Sequence, residues 1–452
     1  MDPQRLLRYV AVLSLGLIAV ATTYAGIGFG NQQAVGGVMI DAAGVVRTAT
    51  LEERADLANM LRQGMNPVAG DVAKATEMRM ISLRGLQDAV KASQQTGAMI
   101  PDEIEYLAGL QRIEYVFVDQ EKNDIVIAGP AEPWDLRDDG SVVGKVTGGS
   151  TMRLVDLMVA LQSVETARQA GISCSIEPTA EGRVRLQKLL RRIKLRPGQN
   201  PTVFEASMRE AFGPQIIQLT GVPTESRYAR TLVAADFQMK RVAMGLMESP
   251  VAALPSYLEM SRNSRHGAGQ NPRWWMACDY DSLAKSADGL AWKLSGQGVR
   301  TLTEQDIVAA DGSVEAAGQA DKVAQQWADK MTENFADLSE QMPIFSDLQK
   351  LMDMTLVATL IVQERLDEHA GLNLNVLRDN AAGVPLTSYN VPRAVDPQCS
   401  FVRGRAGWVV TASGGVDINA FEIVESQQTD ESVAKARTTA LAAASSRWYW
   451  DN

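Results

Sequence analysis

The chain has 452 residues, 46% of them hydrophobic and 22% charged, which supplies enough apolar side chain to bury the cores of two or three domains and excludes disorder as the default state. Acidic residues outnumber basic ones by 54 to 44, a formal net charge of -10, and so acidic a chain excludes duplex nucleic acid as an expected partner. Cys174, Cys278 and Cys399 are too scattered for a zinc pair; in an oxidising compartment two of them could join and leave one free, and three buried unpaired thiols fit as well.

In chain order, Arg5 and Arg8 precede the apolar run YVAVLSLGLIAVATTYA, which closes on small residues at Thr23 and Ala25. Residues 1–25 therefore read as a secretory signal peptide, with an uncleaved N-terminal anchor as the alternative, and the expected location is exported, periplasmic or extracellular. No cysteine follows the run to carry a lipid. Residues 26–36, GIGFGNQQAVG, hold too little apolar content to pack and read as a linker. Residues 37–150 predict a small mixed α+β domain. GVMIDAAGVV gives two short strands around Asp41 to Gly44. Ser82 caps a helix that presents Leu83, Leu86 and Val90 on one face and stops at Gly97, and residues 113–118 and 125–128 flank a polar turn as a hairpin.

Residues 151–395 predict a larger, mainly α-helical domain. Leu154, Leu157, Met158 and Leu161 stand at helical spacing before Gly171. Leu186, Leu189, Leu190 and Ile193 stripe the segment RVRLQKLLRRIKLR, 183–196, in which seven residues are Arg or Lys. That basic face suits an envelope protein, an anionic surface or a second copy of the chain, and pairing with acidic residues of the chain itself is the plainest reading. The next helix, about 224–247, contains AADFQMKRVAMGL. Its apolar residues cover more than half the circumference, so it is expected in the core, with Asp236 and Lys240 as a solvated i, i+4 pair at the margin of the apolar face. Ala320, Val323, Ala324, Trp327, Met331, Phe335 and Leu338 mark a further helix. Beyond Pro343 the run MTLVATLIV, flanked by Asp353 and Glu364, is apolar all round and too short to span a bilayer, so it reads as the central buried helix. Residues 396–452 predict a β-hairpin, in GWVVTASGGVDINAFEIV, and an Ala-rich tail with a surface helix. The expected fold class is α+β: a small mixed N-terminal domain, a larger mainly helical one and a short C-terminal β-hairpin.

Catalytic chemistry is thinly supplied. The two histidines have no ligand at a useful spacing: His369, in QERLDEH, reads as a solvated helix end, and His266, in SRNSRHGAGQNP, as part of a polar loop. No metal or cofactor is expected. Ser282-Leu-Ala-Lys285 fits S-x-x-K and Ser388-Tyr-Asn390 fits a following S-x-N, but Ser413-Gly414-Gly415 stands where a Lys-Thr-Gly strand is required. No catalytic residue is therefore assigned, and a serine-type envelope hydrolase or acyltransferase using Ser282 and Lys285 stands as an alternative. GKVTGGST carries its lysine on the wrong side of the glycines for phosphate binding. A third reading, a small-ligand or glycan-binding protein, would use Trp274, Trp275, Trp292 and the loop around His266 as stacking surfaces, against plain burial of the tryptophans.

Five segments occur in a fixed order: VVGKVTGGSTMRLVDLMVALQ, ISCSIEPT, GVPTESRYARTLVAADFQMKRVAMGL, DGLAWKLSGQGVRTLTE and MPIFSDLQKLMDMTLVATLI. Together, over most of 140–366, they resemble a family of exported planctomycete proteins catalogued only as a domain of unknown function. The resemblance implies export and this domain plan, and brings no catalytic residues. The expected function is that of an exported, non-enzymatic structural or interaction protein of the bacterial cell envelope.

Overall fold

The computed structural model describes residues 34–451 except 98, 194–200, 264–271, 310, 385, 401–409, 412 and 446. The expected signal peptide, most of the linker and His266 lie outside the described residues.

The local signals of the N-terminal part become the elements they predict. Val38–Ile40 and Val45–Thr48 pair antiparallel around the Asp41 turn. The Ser82 hydroxyl accepts from the Gly85 N–H at 2.8 Å and starts the helix Leu83–Gln95. Tyr115–Asp119 and Asp124–Ala131 form the expected hairpin. Further on, Gly171, at φ 67°, ends the helix Leu154–Ala170.

The expectation of a mainly helical second domain is overturned. Among the described residues the chain builds a nine-stranded and a seven-stranded sheet, and both draw strands from the whole length of the sequence. In order across the larger sheet run Val38–Ile40, Val45–Thr48, Ala394–Val395, Gln215–Thr220, Ile172–Pro178, Ser413–Ile418, Pro272–Asp279, Gly298–Val308 and Val314–Ala316. The smaller sheet runs Gln427–Thr429, Leu283–Lys285, Ala291–Lys293, Tyr115–Asp119, Asp124–Ala131, Thr76–Ser82 and Tyr449–Asp451. The physical reason is a period of two that short polar residues disguise. In ISCSIEP, Ile172, Cys174 and Ile176 are buried while Ser173, Ser175 and Glu177 are half-exposed.

The C-terminal β-hairpin is also overturned. Ser413–Ile418 is an inner strand of the larger sheet, parallel to Pro272–Asp279 and antiparallel to Ile172–Pro178, and the residues expected to form the return strand are the helix Ala420–Glu425. Backbone approaches so closely here that side chains have no room. A Cβ on Gly414 would stand 1.7 Å from the Trp274 carbonyl oxygen, and one on Gly415 would stand 1.7 Å from that of Cys174.

The helix Pro343–Gln363 is buried for most of its length. It packs on Leu154–Ala170, Arg227–Ala243 and Ala420–Glu425 and touches the Gly298–Val308 strand. Each of its buried Leu and Ile side chains contributes roughly 1.5–3 kcal/mol. Arg227–Ala243 lies between this helix and the larger sheet, and every residue from Tyr228 to Lys240 is buried. The core reading of AADFQMKRVAMGL therefore holds, but the placement of its charged pair does not. Asp236 is 0% and Lys240 3% exposed, because a helix covered on both sides has no solvated margin. The Lys240 ammonium donates to Asp236 Oδ2 at 2.9 Å, to the Ile176 carbonyl at 2.9 Å and to the Gly414 carbonyl at 3.0 Å, fastening the helix to two neighbouring strands. Burial raises the Asp236 carboxyl to about 7 against the pull of Lys240.

Candidate functional site

On the largely apolar helix Pro343–Gln363, Ser346, Lys350 and Asp353 are spaced four and three apart and so share one face. Asp353, fully buried, accepts from Arg112 Nε at 2.6 Å and Nη2 at 3.1 Å and from the Tyr280 hydroxyl at 2.6 Å. Burial alone would lower the Arg112 guanidinium; the Asp353 charge and hydrogen bonds more than offset it and hold the group above its ordinary value. This pair is satisfied and ties the helix to the smaller sheet.

Lys350 is different. It is 5% exposed, its Nζ donates to Gln349 Oε1 at 3.2 Å, and no carboxylate of the described residues lies within ion-pair distance. Burial lowers its ammonium to about 8, the Arg112 charge adds to that shift, and Asp353, Asp347 and Glu132 oppose it. Nearby, Glu132 is buried and organises the loop Gly144–Ser150 through the N–H groups of Val146 at 2.6 Å and Thr147 at 3.1 Å and the Thr147 hydroxyl. Gly144 is required beneath that carboxylate, since a Cβ would stand 1.9 Å from Glu132 Oε1. The loop is moored to the helix by the Ser150 N–H on Ser346 Oγ at 2.9 Å and the Ser150 hydroxyl on the Pro343 carbonyl at 2.8 Å. Gln111 spends its amide N–H groups on Gly109 and Thr151, and its buried Oε1 has no partner among the described residues.

Lys350, Ser346, Gln349, Gln111, Arg112, Glu132 and Thr147 line a cleft of about 580 Å³, a volume suited to a small molecule, with Ala75, Pro130, Ala131, Val146, Phe335 and Ala336 as apolar walls and the carboxylates Glu77 and Glu340 also on its lining. A larger groove of about 710 Å³ includes Arg84, Asp88 and Arg447, which are exposed, with Arg447 already paired to Asp71 and Asp88 to Lys91. The smaller cleft is the stronger candidate because, among the described residues, it holds a buried cation without a counter-charge and a buried acceptor without a donor.

The four serine-site candidates are placed apart from this cleft. Ser282, exposed, shares a hydrogen bond with the Ser426 hydroxyl at 2.7 Å, while Lys285 reaches Glu364 at 2.7 Å and covers the Trp292 ring. Ser388 is exposed, and Asn390 donates to the Ile40 carbonyl at 3.0 Å, on the first strand of the other sheet. No hydrogen bond among the described residues joins Ser282 to Lys285 or either of them to Ser388 or Asn390. Trp274 and Trp292 are core residues, Trp274 lying edge-on to Tyr257 at 5.0 Å and Trp327 at 4.9 Å; Trp275 is half-buried beneath Arg273. His369 is exposed at the end of a short helix. Among the described residues no group of His, Cys, Asp and Glu side chains could hold a metal ion. Cys174 and Cys278 are free thiols, and burial raises both, Cys278 to about 12, which leaves them unreactive.

In the basic helix, Ala180–Arg192, Arg183 meets Glu177 at 3.5 Å and Arg185 donates to the Ala211 carbonyl at 3.0 Å. Lys188, Arg191 and Arg192 are exposed with no ion pair among the described residues, and 194–196 lie outside them. No described helix is long and apolar enough to cross a membrane.

Sequence reasoning missed the cleft altogether. The signal that could have found it is Ser346 and Lys350 on one face of a mainly apolar, buried helix. GKVTGGST reads in the sequence as an unsuitable phosphate loop, and in the fold Val146, Thr147 and Gly149 of it form a wall of this cleft.

Residues 174–257 match a family described as Protein of unknown function (DUF1598), so the chain contains a domain of unknown function. That stretch runs from the Ile172–Pro178 strand past the Arg227–Ala243 helix and includes Asp236 and Lys240 but none of the cleft residues. No curated protein and no solved structure matches the chain.

Proposed function

We propose that the chain is an exported protein of a bacterial cell envelope, of the planctomycete type its segments resemble, and that it acts by binding a small molecule with an apolar body and an anionic head. The observation that carries this reading is Lys350: a buried cation with no carboxylate partner among the described residues, opening on a cleft with apolar walls, is completed by an anion from outside. Gln111 Oε1 adds an acceptor for a donor on the same ligand. Export is supported by Arg5, Arg8 and the apolar run that ends at Ala25.

The test is a titration with short aliphatic carboxylates such as hexanoate. Lys350→Met is expected to weaken binding at least about tenfold, as for loss of a charge-assisted hydrogen bond, and Lys350→Arg to retain it. Equal affinity in wild type and Lys350→Met would refute the role of the cation. Cell fractionation checks the location, and mature protein recovered only from the cytoplasm would refute export. A partner on the basic helix is supported by its exposed Lys188, Arg191 and Arg192. Co-sedimentation with anionic vesicles, lost in the triple glutamate variant, is the expected result there.

A further inference from the structure

We infer that the Lys350 amine is a covalent acceptor, forming a reversible imine with aldehyde or ketone ligands that enter the cleft. The inference rests on the reading of the cleft as a small-molecule site and extends it from anionic to carbonyl ligands. The geometry is that of a primary amine buried at the edge of an apolar cavity, held by one amide oxygen at 3.2 Å and by no carboxylate of the described residues. An ion pair would lock such an amine in its protonated form; here burial lowers the ammonium to about 8, so a larger share of it is neutral and nucleophilic near pH 7 than of an exposed lysine. Of the charged groups around it, Arg112 favours the neutral amine and Asp353, Asp347 and Glu132 oppose it, and the exposed carboxylates Glu77 and Glu340 also line the cleft. Asp353 is already engaged by Arg112 and Tyr280, and Glu132 by the Gly144–Ser150 loop.

In the reaction the nitrogen lone pair attacks the carbonyl carbon to give a carbinolamine. The two amine protons then leave with the former carbonyl oxygen as one water, and a C=N bond remains. No oxidant, reductant or further co-reactant is consumed. Apolar walls favour this product, because a dry cavity slows the return of water to the imine.

The experiment exposes the full chain to hexanal and sodium cyanoborohydride near pH 7, then maps alkylated lysines by mass spectrometry. Hydride adds to the imine carbon and fixes the adduct as a secondary amine. Lys350 is expected to be labelled about tenfold faster than exposed lysines such as Lys188, since far more of it is neutral at that pH, and hexanoate is expected to compete. Lys350→Arg removes the amine and should show no adduct at this position, with labelling of the exposed lysines as in wild type. Labelling confined to exposed lysines while hexanoate still binds overturns the imine and leaves the anion-binding reading intact. Labelling of Lys350 without hexanoate binding supports the imine and removes the anionic head from that reading. The wild-type competition needs no variant to fold.

Discussion

Lys240 and Lys350 are both buried lysines, and their surroundings set them opposite tasks. Lys240 has a carboxylate and two backbone carbonyls on its three donor positions, so its charge is spent on structure. Removing one member of the pair strands the other: Asp236→Ala should cost roughly 3–5 kcal/mol in chemical denaturation, and the double replacement Asp236→Ala with Lys240→Met distinctly less. Equal losses in the single and double variants would show that the pair contributes only packing. Lys350 carries a charge that the fold penalises. Its folded value of about 8 lies below the ordinary 10.5, so between those values the unfolded chain binds more protons and stability rises with pH. The gain is fully present above the unfolded value, lost as pH falls towards 8, and amounts to about 3 kcal/mol. Lys350→Met should flatten that pH dependence and raise the melting temperature at pH 7; a lower melting temperature would mean that the amine has a stabilising partner.

At the scale of elements, what was legible follows from the range of the interactions involved. Caps, turns and helix faces are written within a few residues, which is why Ser82, Gly171 and the Leu186 stripe led to the right elements. The strand Ser413–Ile418 depends on neighbours more than a hundred residues away, and Gly414 and Gly415, which suggest a turn when read alone, are there because Trp274 and Cys174 occupy the space a side chain would need. Gly415→Val should therefore prevent this strand from seating and cost on the order of 4 kcal/mol or more, measured by thermal unfolding; a stable variant would contradict the packing described. The cleft was hidden for a related reason. Lys350 looks like an ordinary polar interruption of a helix until Glu132, Arg112 and the Gly144–Ser150 loop, all from distant sequence, are folded around it. Gly144→Ala should displace Glu132 and that loop and weaken hexanoate binding while leaving the fold intact, a combination that calorimetry and circular dichroism together would check.

Across the whole molecule, each sheet is assembled from strands that lie before residue 150, between 151 and 395, and after 396. The expected division of the sequence is therefore crossed by hydrogen-bonded strand pairs: Ala394–Val395 joins Val45–Thr48 to Gln215–Thr220, and Tyr449–Asp451 closes the smaller sheet against Thr76–Ser82. For a chain being made from its N-terminus, this has a consequence in time. Until residues 413–418 leave the ribosome, Ile172–Pro178 and Pro272–Asp279 each lack the strand that lies between them in the folded sheet. The larger sheet is therefore expected to be completed only once residues 413–418 have been made, and its unpaired edges to need protection from other nascent chains until then. Stopping translation after residue 397 should accordingly yield chaperone-bound or aggregated material rather than a shorter soluble protein.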